Sequence, residues 1–203
     1  YCTSNDDTVA NMHILDRNPD CEWTFVADVK GAGSEIYKID FCDMNNDGVS
    51  EIVVCWSLYE SKGNKLMTVY EPDNAGGVFT LRSIITENFS QTVTCDINGD
   101  KRDEIFNAVI DNTTVPSKTS GRILKMNDDE TISLAGEVAL TPAVGISSLK
   151  CEDADTTTGK TRVFVDSVID DTELITDVIE WNDETGSPIS LLAEQNSQTS
   201  PAT

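Results

Sequence analysis

The sequence has few of the residues from which catalytic sites are usually built. It contains a single histidine, His13, so any Ser-His-Asp or Cys-His nucleophile system would have to use that residue. His13 lies in a strand-like stretch, residues 11–15, without a partner motif, and we interpret it as a half-exposed strand histidine. The segments Gly31-Ala32-Gly33 and Gly76-Gly77 lie in predicted turns between strands, whereas phosphate-binding loops open a helix. The sequence therefore favours a non-catalytic protein.

Basic residues and long apolar runs are also scarce. The chain has 14 Lys and Arg residues against 36 Asp and Glu residues, which gives a net charge of -22. That charge repels nucleic acid phosphates and anionic membrane surfaces, so we expect neither as a partner. The longest apolar run, residues 52–56, has the length of a strand and is far shorter than the ~20 residues of a membrane-spanning helix. We therefore expect no membrane insertion in this segment.

The six cysteines lack the CxxC spacing of zinc sites. Cys42 and Cys95 directly precede similar acidic stretches, and Cys151 lies two residues before a third. Because equivalent positions in neighbouring repeats are usually too far apart to be bridged, we expect these three to be small buried hydrophobic residues. A Cys2–Cys21 disulfide remains possible, and the redox state of the cysteines stays open.

What the sequence does contain is an acidic string that occurs twice and is echoed once. The first copy, DMNNDGVSE, begins at Asp43, and the second, DINGDKRDE, begins at Asp96. The echo, DAD followed by TTTG, begins at Asp153. The spacing is 53 residues from Asp43 to Asp96 and 57 from Asp96 to Asp153. A near-constant period of this size indicates a repeat fold.

Short β-type segments separated by turn residues fill each period. Four strands per period, without a helical pattern, predict an all-β fold made of β-propeller blades of four antiparallel strands. The continuous apolar run 52–56 fits a sheet that is covered on both faces. A sandwich or a solenoid of sheets is the alternative architecture. The predicted strands are 11–15, 22–29, 35–41, 51–57, 65–71, 78–86, 91–95, 104–110, 121–126, 131–140, 145–151, 161–168, 174–181 and 188–193.

About three and a half blades are predicted. We divide residues 1–193 into a partial blade with a lead-in strand at 1–41 and successive repeats at 42–94, 95–150 and 151–193. The residues 194–203 are predicted as a polar linker or disordered tail. Since propellers generally close with ~4–8 blades, we expect a piece of a longer protein, blades supplied by another chain, or an unusually small ring. The first residue, Tyr1, favours a processed form or a fragment with flanking blades or domains.

The acidic strings predict two structural Ca²⁺ sites. Calcium takes 6–8 oxygen ligands and accepts carboxylates, amide oxygens and backbone carbonyls. Position 9 carries the closing carboxylate, whereas an EF-hand needs one at position 12, where this chain has Val54 and Asn107. Lys101 replaces Gly48 at position 6 and predicts weaker binding in the second loop. The predicted ligands are Asp43, Asn45, Asp47, Val49 and Glu51 in loop one and Asp96, Asn98, Asp100, Arg102 and Glu104 in loop two, with Val49 and Arg102 acting through their backbone carbonyls.

The third string is degenerate. It keeps Asp153 and Asp155 but has Thr157 at position 5 and no carboxylate in the closing place, so we expect a turn without calcium. A turn without metal is also the alternative for the first two loops, because Asp, Asn and Gly are common turn residues. Two copies in matched strand contexts favour the metal.

The loops DMNNDGVSEIVV and DINGDKRDEIF resemble the calcium loops of FG-GAP/VCBS-type repeats, as found in integrin-α-like propellers and bacterial surface proteins. The resemblance covers roughly residues 39–180, although the Phe-Gly and Gly-Ala-Pro signatures are absent. It implies an extracellular or cell-surface propeller with blade-stabilising calcium, used for adhesion or for binding a protein or glycan ligand. The alternative is the propeller portion of a carbohydrate-active enzyme such as a polysaccharide lyase. Trp23, Trp56 and Trp181 could stack on sugars, although burial is the commoner use of strand tryptophans.

Overall fold

The structure is a computed structural model that describes residues 2–6, 9–17, 19–58, 65–72, 79–87, 89–153, 161–170 and 173–196. Throughout this part of the chain the regular structure is β-strand, which confirms the predicted all-β class. No helix long and apolar enough to cross a membrane occurs among these residues.

The described residues form fifteen strands. Their bounds are β1 Cys2–Asp6, β2 Val9–Arg17, β3 Trp23–Val29, β4 Glu35–Cys42, β5 Glu51–Ser57, β6 Lys65–Pro72, β7 Phe79–Glu87, β8 Phe89–Cys95, β9 Glu104–Asp111, β10 Lys118–Met126, β11 Ile132–Leu140, β12 Gly145–Asp153, β13 Thr161–Val168, β14 Leu174–Asn182 and β15 Ser187–Asn196. β1 is the one strand that the sequence pattern did not predict. Within the predicted tail, Glu194, Gln195 and Asn196 pair with β14, and the residues 197–203 lie outside the described ones.

The strands form four antiparallel sheets in sequence order. The sheets are β1-β2-β3, β4-β5-β6-β7, β8-β9-β10-β11 and β12-β13-β14-β15. Each of the three acidic loops therefore joins the first and second strands of one four-stranded sheet. The strand that enters a loop belongs to the same sheet as the three strands that follow it, so the sheets begin one strand earlier than the repeats drawn from the sequence.

The chain divides into two compact units. The first comprises Tyr1–Asp43 and Asp47–Asn88, and the second comprises Met44–Asn46 and Phe89–Thr203. In the first unit the core contains Met12 and Val29 from the three-stranded sheet with Val54 and Trp56 from β5. The apolar run 52–56 of β5 is buried throughout, as predicted, and Glu51 before it is buried as well.

The second unit contains two sheets packed face to face. β8 contacts β12 and β11 contacts β15, so equivalent strands of the two sheets lie against each other. Alternate residues of β9 and β13 fill the space between the sheets, among them Phe106, Ala108, Val163 and Val165. Asp177, which is buried, accepts hydrogen bonds at 2.9 Å from both the backbone N–H and the hydroxyl of Thr141 and so joins the end of β11 to β14.

Candidate functional site

Loop two, residues 96–104, is wrapped around the carboxylate of Asp96. Its Oδ1 accepts the N–H groups of Gly99 at 2.7 Å and Asp100 at 3.1 Å, and its Oδ2 accepts that of Lys101 at 2.8 Å. Gly99 and Lys101 adopt left-handed backbone conformations, with φ of 79° and 71°. The loop therefore directs successive N–H groups toward its first residue, while the strain expected at Lys101 is present because this residue carries a Cβ.

Three further side chains of loop two converge beside Asp96. The Asn98 amide nitrogen donates to Glu104 Oε1 at 2.6 Å and to Asp100 Oδ2 at 3.2 Å. The other oxygen of Glu104 accepts the Ile97 N–H at 2.8 Å. The Asn98 amide nitrogen thus lies between the carboxylates of Glu104 and Asp100. Positive charge is favoured at this position of the loop.

Glu104 is a buried carboxyl group, with 1% of its surface exposed. Burial, opposed by the hydrogen bond from Ile97 and helped by the nearby charges of Asp100 and Asp96, raises the pKa of Glu104 to about 8. An ionised carboxylate in such surroundings is costly unless it is paired with a donor or a cation. A bound divalent cation would remove this cost.

Loop one, residues 43–51, repeats the same local geometry. Asp43 Oδ1 accepts the Asp47 N–H at 3.1 Å, Asp43 Oδ2 accepts the Gly48 N–H at 2.9 Å, and Asp47 Oδ1 accepts the Val49 N–H at 2.8 Å. In loop two the bond equivalent to the last one runs from the Arg102 N–H to Asp100 Oδ1, also at 2.8 Å. The two left-handed positions of loop one are Asn46 and Gly48, with φ of 59° and 83°.

The donor set of both loops fits a hard cation. Asp, Asn and Glu side chains and backbone carbonyls supply oxygen only, which is what calcium prefers. Among the described residues, no group of three or more His, Cys, Asp and Glu side chains stands close enough to hold a metal ion by itself. The amide of Asn98 and the backbone carbonyl of Arg102 would have to complete the set in loop two. The Arg102 guanidinium is engaged elsewhere, donating to Asp128 at 2.9 Å, so only its backbone is available to the loop.

The closing residues Glu51 and Glu104 occupy the same place in their sheets. Each is the first residue of the second strand, and each is buried. Of the third loop, the structure describes Asp153 as the last residue of β12, opposite Thr161, and Asp155 lies outside the described residues.

Cysteines stand directly across from the closing glutamates. Cys42 is paired in register with Glu51, and Cys95 is paired with Glu104. Cys42 is buried and forms no disulfide, as predicted. The expectation that Cys95 and Cys151 are separate thiols is wrong, because they form a disulfide with their Cα atoms 6.5 Å apart. Packing of β8 on β12 brings equivalent repeat positions within bridging distance, although such positions in neighbouring repeats are usually too far apart.

The remaining cysteines show no second bridge among the described contacts. Cys21 is a free, exposed residue, so the possible Cys2–Cys21 disulfide is not formed. Cys55 is a buried free thiol beside Tyr37, and burial raises its pKa to about 12. A thiol with so high a pKa stays protonated and is chemically inert.

A second candidate feature is a cleft within the first unit, between the three-stranded sheet and β4-β5. Its volume is about 460 Å³, and it is lined by Met12, His13, Ile14, Leu15, Trp23, Ile39, Phe41 and Ile52. Trp23 and Phe41 are exposed by 65% and 66%, whereas the deeper Ile52 and Met12 are buried. The cleft therefore has a buried apolar floor and aromatic side chains at its mouth.

The structure distinguishes the side chains whose roles the sequence left ambiguous. Trp56 is buried, and Trp181 packs against the core of the second unit, so Trp23 is the tryptophan that offers an open ring face. The Arg17 guanidinium lies 5.7 Å from the Trp23 ring centre. His13 is a partly buried strand residue, as predicted, and its Nδ1 contacts the Asp28 carboxylate, a pairing that no sequence motif indicated.

No protein-family model matches this sequence, and no curated protein matches it.

Proposed function

We propose that this chain is a non-catalytic, calcium-stabilised β-propeller module that acts outside the cell or at its surface and binds a protein or glycan ligand. The observation that carries the proposal is the repeated loop geometry. In both loops a first aspartate accepts hydrogen bonds from backbone N–H groups, and a buried glutamate closes the loop at its ninth position. A cation would offset the cost of that buried charge, and its binding would stabilise the folded sheet.

The propeller architecture is supported by the arrangement inside the second unit. Its two four-stranded sheets pack with first strand on first strand and fourth strand on fourth strand. Adjacent blades of a propeller pack in this way, because each blade buries both faces against its neighbours. The disulfide between Cys95 and Cys151 fits an oxidising compartment and therefore the proposed location outside the cell.

Calcium removal tests the metal part of this proposal. We expect millimolar calcium to raise the melting temperature by about 5–10 °C over the value in chelator, provided that the calcium concentration exceeds Kd about a hundredfold. The double substitutions Asp43→Ala with Asp47→Ala, and Asp96→Ala with Asp100→Ala, should each remove part of the shift. Asp20→Ala, in an exposed turn outside both loops, is the matched control and should keep the full shift. Equal melting temperatures of the wild type in calcium and in chelator would refute the metal sites.

Ligand binding is tested at the aromatic cleft of the first unit. Exposed aromatic rings over an apolar floor suit the stacking faces of sugars and the apolar side chains of peptides. On glycan and peptide arrays, we expect Trp23→Ala to weaken the signal of the wild-type protein about tenfold or more. Val115→Ala, at a fully exposed hydrophobic residue of the second unit, is the control and should bind like the wild type. Binding that survives Trp23→Ala would move the ligand site elsewhere, and breakdown of a bound glycan would favour the lyase alternative.

A further inference from the structure

We propose that the Cys95–Cys151 disulfide controls the calcium affinity of loop two, so that this loop is redox-sensitive while loop one is not. The inference rests on the calcium sites of the proposed function and adds a mode of regulation to one of them. Its basis is the position of the disulfide relative to the predicted ligands.

Cys95 lies next to both the first and the last residue of loop two. It is the residue immediately before Asp96, and in the β8–β9 ladder it is paired directly with Glu104. The first and the last predicted ligands of the loop are therefore anchored at the same cysteine. Any displacement of the Cys95 backbone changes the separation between Asp96 and Glu104.

A third link passes through Ile97. Its side chain is buried in the core of the second unit, against which both Cys95 and Cys151 pack. Its backbone N–H donates to Glu104 Oε2 at 2.8 Å. The disulfide, the core and the closing carboxylate thus form one continuous set of contacts, which orients the ligand in the way that outer contacts orient the ligands of other metal sites.

Loop one supplies the comparison within the same molecule. Cys42 precedes Asp43 and is paired with Glu51, so it has the same position at loop one as Cys95 has at loop two. Cys42 nevertheless forms no disulfide, and 1% of its surface is exposed. Cys95 and Cys151 are both only partly buried, so a small reductant can approach their bond. Mild reduction should therefore change loop two and leave loop one as it is.

The redox step is a two-electron exchange with a dithiol. Two electrons and two protons pass from the dithiol to the protein, the S–S bond breaks into the thiols of Cys95 and Cys151, and the dithiol closes into its own disulfide. After reduction the end of β8 is held by packing and by ladder hydrogen bonds alone. Part of the calcium binding free energy is then spent on ordering loop two, because the disulfide no longer orders it. The calcium affinity of loop two therefore falls.

The coupling is reciprocal. If reduction weakens calcium binding by a given factor, calcium makes the disulfide harder to reduce by the same factor. A tenfold effect on affinity corresponds to a shift of the reduction potential of about 30 mV for a two-electron couple. The potential is a second readout that does not depend on measuring the affinity itself.

The experiment measures calcium affinity by competition with a chromophoric chelator in two backgrounds. Asp43→Ala with Asp47→Ala leaves loop two to be measured, and Asp96→Ala with Asp100→Ala leaves loop one. Each protein is titrated oxidised and after treatment with dithiothreitol, and again with Cys95→Ala plus Cys151→Ala or with the control Cys42→Ala. We expect reduction or the double cysteine substitution to weaken loop two about tenfold. Loop one should change less than twofold, and calcium should lower the reduction potential of the disulfide by about 30 mV.

The outcomes separate the two proposals. Absence of calcium binding by the oxidised wild type overturns the proposed calcium sites and this inference with them. Equal affinity of loop two before and after reduction overturns only the redox control. Loss of binding in both loops after reduction shows general unfolding and also overturns it, and circular dichroism of the reduced protein identifies that case.

Discussion

Loops one and two have the same backbone conformation and differ in how they are held. Both place left-handed residues at the fourth and sixth positions and both end on a buried glutamate. Loop one has Gly48 at the sixth position and follows a cysteine that forms no disulfide, whereas loop two has the strained Lys101 and follows a disulfide-bonded cysteine. The comparison teaches that the same loop backbone forms with glycine or with a strained lysine at the sixth position. The loop that carries the lysine is the one with a disulfide beside it.

The largest expected effect comes from removing that constraint. Breaking a bridge between residues 56 apart in the chain should lower the free energy of unfolding by about 4 kcal/mol in the chain-entropy account. Cys95→Ala with Cys151→Ala, compared with the wild type by urea denaturation in chelator, measures this loss. Cys42→Ala is the control and should cost far less, since a small buried side chain is merely shortened. A larger loss from Cys42→Ala would reverse the proposed difference between the loops.

An effect of intermediate size is the pH dependence of stability that Glu104 causes. Because burial raises its pKa in the folded protein to about 8, above the ordinary value of 4.5, the folded state holds the proton more tightly. Stability in chelator should therefore fall as pH rises from about 4.5 to about 8 and then change no further through this group. Glu104→Gln should flatten that part of the profile, measured by denaturation at a series of pH values.

Glu137→Gln is the matched control for the pH experiment. A hydrogen bond with Ser120 and a contact with Arg122 lower the pKa of Glu137, so this carboxyl stabilises the fold above its ordinary pKa and loses that contribution as pH falls. Its removal should affect only the acidic end of the profile. If Glu104→Gln leaves the slope between pH 4.5 and 8 unchanged, the carboxyl of Glu104 is not responsible for it.

The smallest effect is an exchange at the sixth loop position. Lys101→Gly should stabilise the protein by about 1 kcal/mol, since glycine adopts φ of 71° without strain. Gly48→Lys should destabilise it by about the same amount, although a Cβ at Gly48 meets no atom within 4 Å. Thermal and urea denaturation of both variants in chelator would measure the pair. Changes of equal sign would show that backbone strain is not what distinguishes the loops.

Much of the local structure was predictable from particular residues. The buried run of β5 was legible because five consecutive apolar residues suit a strand covered on both faces. The acidic strings predicted tight turns between strands, and the strain at Lys101 followed from its position. β1 was not predicted because its sequence, CTSND, has neither apolar alternation nor a β-branched run. The calcium sites, the propeller and the ligand remain predictions.

The sequence by itself determined the strands, the turns and the chemistry of the loops, since these depend on side-chain pattern and backbone preference over a few residues. Tertiary structure alone decided that Cys95 bonds to Cys151 while Cys42 forms no disulfide, that Trp23 is exposed while Trp56 is buried, and that His13 lies beside Asp28. The physical reason is distance along the chain. Packing of one sheet on another and pairing of strands bring together residues far apart in sequence, and no local preference encodes which residues those are.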